Sequence, residues 1–184
     1  MKRKNLIALL AASLPFAANA SISVEQHISD KVTNWFQVDV KQVKSLAVRS
    51  TFDCTFYSAT PTIRLPDSES SFGEHLFIHQ GDTVEAISTP SSTQPLPEIA
   101  NCIKTSFRLT DDLQADVLRE ALDGIYKSFS YGHREVEPYA IKKEGHWIII
   151  NDKFFDDYSG YIVKTSPDGQ VKSISYSLEL QGIE

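Results

Sequence analysis

The stretch that most constrains the fold is Tyr158–Leu180, where two runs of strand-like sequence flank a tight turn. Apolar and polar residues alternate over 161–165 and 170–180, as they do in a strand with one face on a core. The turn between them, 166–169, reads Ser-Pro-Asp-Gly. Proline presets φ, and glycine accepts the positive φ that a sharp reversal needs. We therefore predict an antiparallel hairpin here.

A fainter copy of this pattern lies at Leu76–Thr89, again with a Gly-Asp turn between two strand-like runs. Three residue pairs are each 87 positions apart, namely Val84 and Val171, Ile87 and Ile174, and Ser88 and Ser175. The match suggests a tandem duplication of a helix-plus-four-strand unit, with halves at 21–97 and 98–184. The alternative is a single cystatin- or NTF2-like domain over 21–184, with one sheet wrapped around a helix at 111–130. Both alternatives predict an α+β fold.

Apolar residues at three- and four-residue steps predict two helices. The first begins at Ser23, a preferred capping residue, and its apolar stripe ends at Trp35 and Phe36. The second begins near Asp111. Strands are expected at 43–58, 74–89, 134–142 and 146–151. Residues 59–73 are expected to form an exposed loop and 90–98 a connector. The segment 99–105 is either a short helix or an edge strand. The all-apolar run Trp147–Ile150 predicts a strand covered on both faces.

Residues 1–20 have the three parts of a secretory leader: a basic start, an apolar stretch at Leu6–Phe16 and a small-x-small site at Ala18–Ala20. The apolar stretch is too short to cross a bilayer, so we expect cleavage after Ala20 rather than an anchor. The protein is therefore predicted to be periplasmic or secreted, with no membrane insertion once the leader is removed.

The charge of the chain limits the classes of partner. Three of the 18 basic residues lie in the leader and none of the 24 acidic ones does, so the mature chain carries 15 against 24 and a net charge of −9. An acidic chain without a basic cluster is a poor match for nucleic acid or anionic lipid. We predict that the partner is another protein, with a basic surface; the oligomeric state is left open.

Cys54 and Cys102 are the two cysteines of the chain. In an exported protein, two cysteines predict a disulfide, and their separation does not fit a redox Cys-x-x-Cys motif. Closing a loop of this length stabilises a fold by roughly 3–4 kcal/mol in the chain-entropy model. We therefore predict a structural disulfide between them.

No motif in the sequence assigns an activity. The chain has no nucleophile elbow, no glycine-rich phosphate loop and no dinucleotide fingerprint. His75 and His79 resemble a metal pair, but four residues along a strand separate them by roughly 13 Å. We predict no metal and no cofactor, and the sequence favours a non-catalytic role.

The candidate binding segment is 151–158, which crowds three aromatic and three acidic side chains into eight residues and joins the Ile148–Ile150 strand to the last hairpin. In an extended segment, adjacent Phe154 and Phe155 point to opposite faces, so both cannot enter one core. One of them could anchor a partner while carboxylates steer a basic surface toward it. The alternative is that these aromatic residues cap the sheet. The candidate residues are Asp152, Phe154, Phe155, Asp156, Asp157 and Tyr158.

These observations lead to the hypothesis of an exported, non-catalytic binding protein, such as an inhibitor, an immunity protein or an envelope accessory protein, that contacts a cationic protein. One alternative is a small-ligand carrier with an apolar pocket lined by Tyr139, Trp147, Tyr161 and Tyr176. The other is a hydrolase whose carboxylates or histidines lie far apart in sequence. A binding protein should expose an apolar patch rimmed by acids, a carrier should contain an apolar cavity, and a hydrolase should gather titratable groups in one cleft.

Overall fold

The computed structural model describes residues 22–48, 51–65, 68–71, 73–88, 93–126, 137–154 and 157–180. Helix α1 spans Val24–Phe36, and the Ser23 side chain caps it by accepting a hydrogen bond from Gln26 N at 3.1 Å. The helix ends at Gln37, whose backbone is left-handed with φ 56°. Both ends of α1 thus lie where the sequence predicts them.

The first sheet is antiparallel and contains five strands. They are β1 (Asp39–Ser45), β2 (Thr55–Leu65), β3 (Ser68–Ser71), β4 (His75–Gln80) and β5 (Thr83–Ile87). The order is β1-β2-β4-β5, and β3 pairs with the far end of β2. The predicted hairpin at 74–89 is formed by β4 and β5, with Gly81 at φ 58° in the turn.

Two of our expectations for this region are wrong. The run at 43–58 is not one strand, because β1 ends at Ser45 and β2 begins at Thr55. Residues 59–65 are not an exposed loop either, since β2 continues to Leu65 and its residues Ala59 and Thr62 are buried, and 68–71 form β3. Pro61 suggested a loop, but it lies opposite a β-bulge in β1, one of the places where a sheet accepts proline.

The second sheet is also antiparallel and contains the other five strands. They are β6 (Gln94–Pro95), β7 (Tyr139–Lys143), β8 (His146–Phe154), β9 (Asp157–Thr165) and β10 (Val171–Ser177), in the order β6-β10-β9-β8-β7. The closing hairpin is confirmed, with Gly169 at φ 81° in its turn. Trp147–Ile150 lies in β8 between two neighbouring strands, and all four side chains are buried as predicted.

Two further helices lie between β6 and β7 in the chain. Helix α2 spans Pro97–Cys102, so the ambiguous segment at 99–105 begins as helix, with Pro97 at its first position. Helix α3 spans Asp112–Tyr126, and Asp111 Oδ1 caps it by accepting from Gln114 N at 3.0 Å. Within the part of the chain that the structure describes, no helix is both long and apolar enough to span a bilayer.

The largest apolar core lies between the sheets and includes α2 and α3. Phe56 and Ile78 of the first sheet belong to the same buried cluster as Trp147 and Ile149 of the second and Leu118 of α3. A second cluster joins α1 to the other face of the first sheet, and a third covers the other face of the second sheet around Leu180. The α+β prediction is confirmed. The described strands form two sheets, whereas the single-domain alternative expects one.

The Cys54–Cys102 pair is found at bonding distance, as predicted. The two sulfur atoms lie 1.99 Å apart and the Cα atoms 5.4 Å apart. Both residues are buried in the central cluster, where the bond joins the start of β2 to the end of α2. The disulfide therefore ties the first sheet to a helix that packs against β10.

Candidate functional site

The predicted binding segment, 151–158, forms the paired ends of two strands. Residues 151–154 end β8, 157 and 158 begin β9, and Phe154 lies opposite Asp157 in the register. The segment is therefore part of the β8–β9 hairpin, not a connection that precedes the last hairpin. Phe155, Asp156 and the Phe154 side chain lie outside what the structure describes.

The described candidates in this segment have different surroundings. Asp157 is exposed, whereas Asp152 is partly buried. Tyr158 packs against the outer cluster of the second sheet, and its carbonyl oxygen accepts a hydrogen bond from Leu180 N at 2.8 Å. Tyr158 thus helps to cover the sheet, and the binding role of the segment stays a prediction.

A surface that the sequence did not single out lies at the C-terminal end of α1. It is formed by Trp35, Phe36 and His75, which we call the aromatic patch. The Trp35 ring stacks on Phe77 at 6.0 Å between centroids, and the Phe36 ring stacks on His75 at 4.5 Å. Even so, 48% of Trp35 and 46% of Phe36 stay exposed. Two adjacent aromatic residues are therefore fixed in position with half of their surface open to solvent.

The helix geometry explains why these two residues are exposed. The buried stripe of α1 consists of Ile28 and Val32. Adjacent residues on a helix point about 100° apart, so Trp35 and Phe36 lie on either side of that stripe and cannot both enter it. The expectation that both belong to the core stripe is thus only half right. The sequence does contain a signal of this exposure, because the two aromatic residues are adjacent and come at the end of the helix.

Lys31 of α1 contacts both the Trp35 ring and strand β5. Its Nζ atom lies 5.4 Å from the centre of the Trp35 ring and donates a hydrogen bond to Val84 O at 2.8 Å. A cation over the face of tryptophan is attracted by the electron-rich ring. The orientation of Trp35 is therefore set by Phe77 on the sheet and by Lys31 on its own helix.

The aromatic patch is uncharged at neutral pH and has carboxylates near it. Burial lowers the pKa of His75 from its ordinary value of 6.5, so its ring is neutral at pH 7. Glu74 adjoins His75 in the chain and forms an ion pair with Lys44 at 3.3 Å. The Glu74 carboxylate is thus paired, and exposed Asp30 lies one turn earlier on α1. The patch itself consists of two half-exposed aromatic rings and a neutral histidine.

A depression of about 430 Å³ lies where α1 turns into β1. We call it the α1 depression. Polar groups of the last helical turn and of β2 line most of it, and Val38 and Ile63 supply apolar wall. Its lining residues are Thr33, Asn34, Gln37, Val38, Asp39, Thr62 and Ile63. The depression is therefore polar, with a small apolar side.

The four aromatic residues expected to line a carrier pocket are divided between two faces of the second sheet. Trp147 and Tyr161 are buried in the central cluster, with Tyr176 at its border. Tyr139 pairs with Ile150, whose side chain belongs to the cluster on the opposite face. The structure thus brings Tyr161 and Tyr176 together, with ring centres 5.5 Å apart, and places Tyr139 elsewhere.

The two histidines of β4 have different neighbours. His75 and His79 both lie on β4, where His79 has Tyr57 beside it and His75 has Phe36. Within the described ranges, no group of three or more His, Cys, Asp or Glu side chains is arranged to hold a metal ion. His133 lies outside the described residues.

The chain was compared with protein-family models, with curated proteins and with solved structures, and none of the three comparisons found a match.

Proposed function

We propose that this is an exported, non-catalytic binding protein that contacts a basic protein partner through the aromatic patch. The observation that carries the proposal is the half-exposed pair Trp35 and Phe36, held in place by Phe77, His75 and Lys31. Tryptophan and other aromatic anchors dominate the binding energy of protein interfaces, particularly when they are already ordered in the free protein.

Charge supports a basic partner. With the leader removed the chain has 15 basic and 24 acidic residues, and complementary charge speeds association and selects partners. An inhibitor, an immunity protein or an envelope accessory protein would all use such a surface. The predicted leader supports the compartment, and the mass of the purified periplasmic protein, which should begin at Ser21, tests it.

The test is quantitative binding with matched variants. A partner captured from envelope extract is identified, purified and titrated calorimetrically against the wild type, Trp35→Ala and Phe36→Ala. Leu113→Ala is the control, because Leu113 on α3 is 70% exposed and lies outside the patch. We expect each patch variant to weaken binding at least about 10-fold, the control less than about 2-fold, and added salt to weaken the wild type.

Two results would contradict the proposal. One is a partner whose affinity is unchanged in both patch variants although their melting temperatures show that they are folded. The other is a partner without net positive charge whose affinity is insensitive to salt. Equal losses in the patch variants and in Leu113→Ala would also count against a localised surface.

The duplication belongs to the same proposal. In each half a helix precedes four antiparallel strands that pair in chain order, α1 before β1-β2-β4-β5 and α3 before β7-β8-β9-β10, with the short strands β3 and β6 added to the two sheets. This order and the 87-residue spacing support a common origin of residues 21–97 and 98–184. The helices are placed differently, because α3 packs in the central cluster and α1 on the outer face of its sheet.

A further inference from the structure

We infer that the α1 depression receives an arginine side chain of the partner. This inference rests on the proposed function, since it names the chemistry of the surface that meets the aromatic patch. The depression and the patch share the last turn of α1: Asn34 and Gln37 line the depression, and Trp35 and Phe36 lie between them in the chain. The depression and the patch thus share one turn of the helix, and a single partner surface can reach both.

The electrostatics at this end of α1 favour a cation. The C-terminal end of a helix carries about half a negative charge, because its last carbonyl groups have no partner within the helix. Helices often compensate this charge with a Lys, Arg or His in the last turn, but the last turn of α1 has no basic residue. Lys31, one turn earlier, already donates to Val84 O. Gln37 already donates to Thr33 O and Asn34 O, so a cation supplied by the partner would act by balancing the partial charge that remains at the helix end.

The lining favours a guanidinium over an ammonium group. The hydroxyl, amide and carboxylate groups at the depression belong to three different residues, Thr33, Asn34 and Asp39. A planar guanidinium offers five donors in a fixed fork and can reach several separate acceptors at once. Its aliphatic stem can lie along Val38 and Ile63. An ammonium group is a compact point charge and matches this arrangement less well.

The conformation of Gln37 shapes the depression. Gln37 ends α1 with φ 56° and ψ 39°. Residues other than Gly, Asn and Asp rarely adopt this left-handed conformation. Its backbone N donates to Thr33 O at 2.8 Å, and its side-chain Nε2 donates to Asn34 O at 3.3 Å. This turn directs the chain into β1 and leaves the depression between the helix end and β2.

The experiment needs no partner protein. N-acetyl-arginine amide and N-acetyl-citrulline amide have nearly the same shape, but only the arginine probe is charged. Each is titrated into the full chain at low ionic strength and followed by the backbone amide shifts of residues 33–39, 62 and 63. We expect saturable shifts with the arginine probe at a Kd of about 1–10 mM, and at least about 5-fold weaker binding of the citrulline probe.

A pair of variants locates the site. Ile63→Lys places a cation of the protein itself at the rim of the depression, where Ile63 is 37% exposed. Leu178→Lys makes the same change of charge at a position that is 42% exposed and does not line the depression. We expect Ile63→Lys to weaken the arginine probe at least about 10-fold and Leu178→Lys less than about 2-fold, with both variants folded by thermal melting.

Three results would overturn the inference: equal binding of the two probes, arginine-induced shifts confined to other regions such as α3, or equal effects of the two lysine variants. If the arginine probe fails while Trp35→Ala still weakens the partner, the inference falls and the proposed function stands. If the probe binds at 33–39 but the patch variants leave the partner unaffected, the proposed function falls.

Discussion

Replacing Gly160 with alanine is expected to destabilise the protein by about 3 kcal/mol. Gly160 lies in β9 between two paired strands, opposite Ile150 of β8 and Ser177 of β10. A Cβ atom at this position would come within 3.0 Å of Ile149 C and of Ile150 Cα, and nearer still to the Ile149 carbonyl oxygen. These are backbone atoms of a strand paired on both sides, so a change of side-chain rotamer cannot relieve the clash.

The magnitude follows from what must move. Overpacking costs about 1–3 kcal/mol when side chains and short backbone segments can yield. Here β8 must shift against both β7 and β9, so we place the cost at the upper end, about 3 kcal/mol. In a domain of this size, 1 kcal/mol changes the melting temperature by about 2–4 °C, which gives an expected decrease of about 6–12 °C.

Urea denaturation followed by circular dichroism measures the change, with Gly73→Ala as the matched control. A Cβ at Gly73 meets no atom within 4 Å, and Gly73 does not have a positive φ. Alanine there lowers the entropy of the unfolded chain, so Gly73→Ala should be neutral or stabilise by up to about 1 kcal/mol. If Gly160→Ala were within about 0.5 kcal/mol of the wild type, the close approach of β8 to β9 would be refuted.

Three further predictions concern stability. Reducing the Cys54–Cys102 bond, with its separation of 48 residues, should lower the free energy of unfolding by about 4 kcal/mol in urea titrations, and an unchanged midpoint would argue against the bond. Gln37→Gly should raise the free energy of unfolding by about 1 kcal/mol, since glycine adopts positive φ without strain, and a loss of stability would contradict this. Burial raises the pKa of Tyr126 and of Tyr161 above the ordinary value of 10. The stability that the two neutral phenols contribute is therefore present below about pH 10 and lost as the pH rises further. Absorbance at 295 nm should show that both phenols ionise only when the protein unfolds.

The parts of the fold predicted correctly depend on local chemistry. The turns at Gly81 and Gly169 both use a positive φ, which glycine adopts without strain and which the sequence therefore reveals. The helix caps at Ser23 and Asp111 are equally local, because each side chain bonds a backbone N–H three residues later. Such features need no knowledge of distant residues.

The wrong predictions depend on contacts between distant residues. Pro61 is accepted in β2 because β1 bulges opposite it, and nothing in the sequence near Pro61 shows this. One of the residue pairs 87 positions apart depends on distant contacts in the same way. Val84 packs against the α1 cluster and Ile87 lies in the central one, whereas Val171 and Ile174 both belong to the central cluster.

A bulge between Val171 and Ser173 explains that difference. One extra residue in a strand moves all later side chains to the other face, so positions that match in sequence differ in orientation. The periodicity of a strand can thus be recognised from the sequence, while the face that each residue occupies depends on the partner strand. The duplication stays a prediction, because the sequence match carries over to the face for Ile87 and Ile174 but not for Val84 and Val171.

The candidate site illustrates the same limit. One rule, that adjacent aromatic residues cannot both enter a single core, applies equally to Phe154 with Phe155 and to Trp35 with Phe36. The sequence favoured the first pair because acids surround it, whereas the exposure of the second pair depends on how far the first sheet extends under α1. Beyond Val32 the sheet offers Phe77 and His75, which support one side of each ring and leave the other half open. Burying that surface against another protein is favourable in proportion to its apolar area, and this is the physical reason for proposing the Trp35–Phe36 pair as the contact surface.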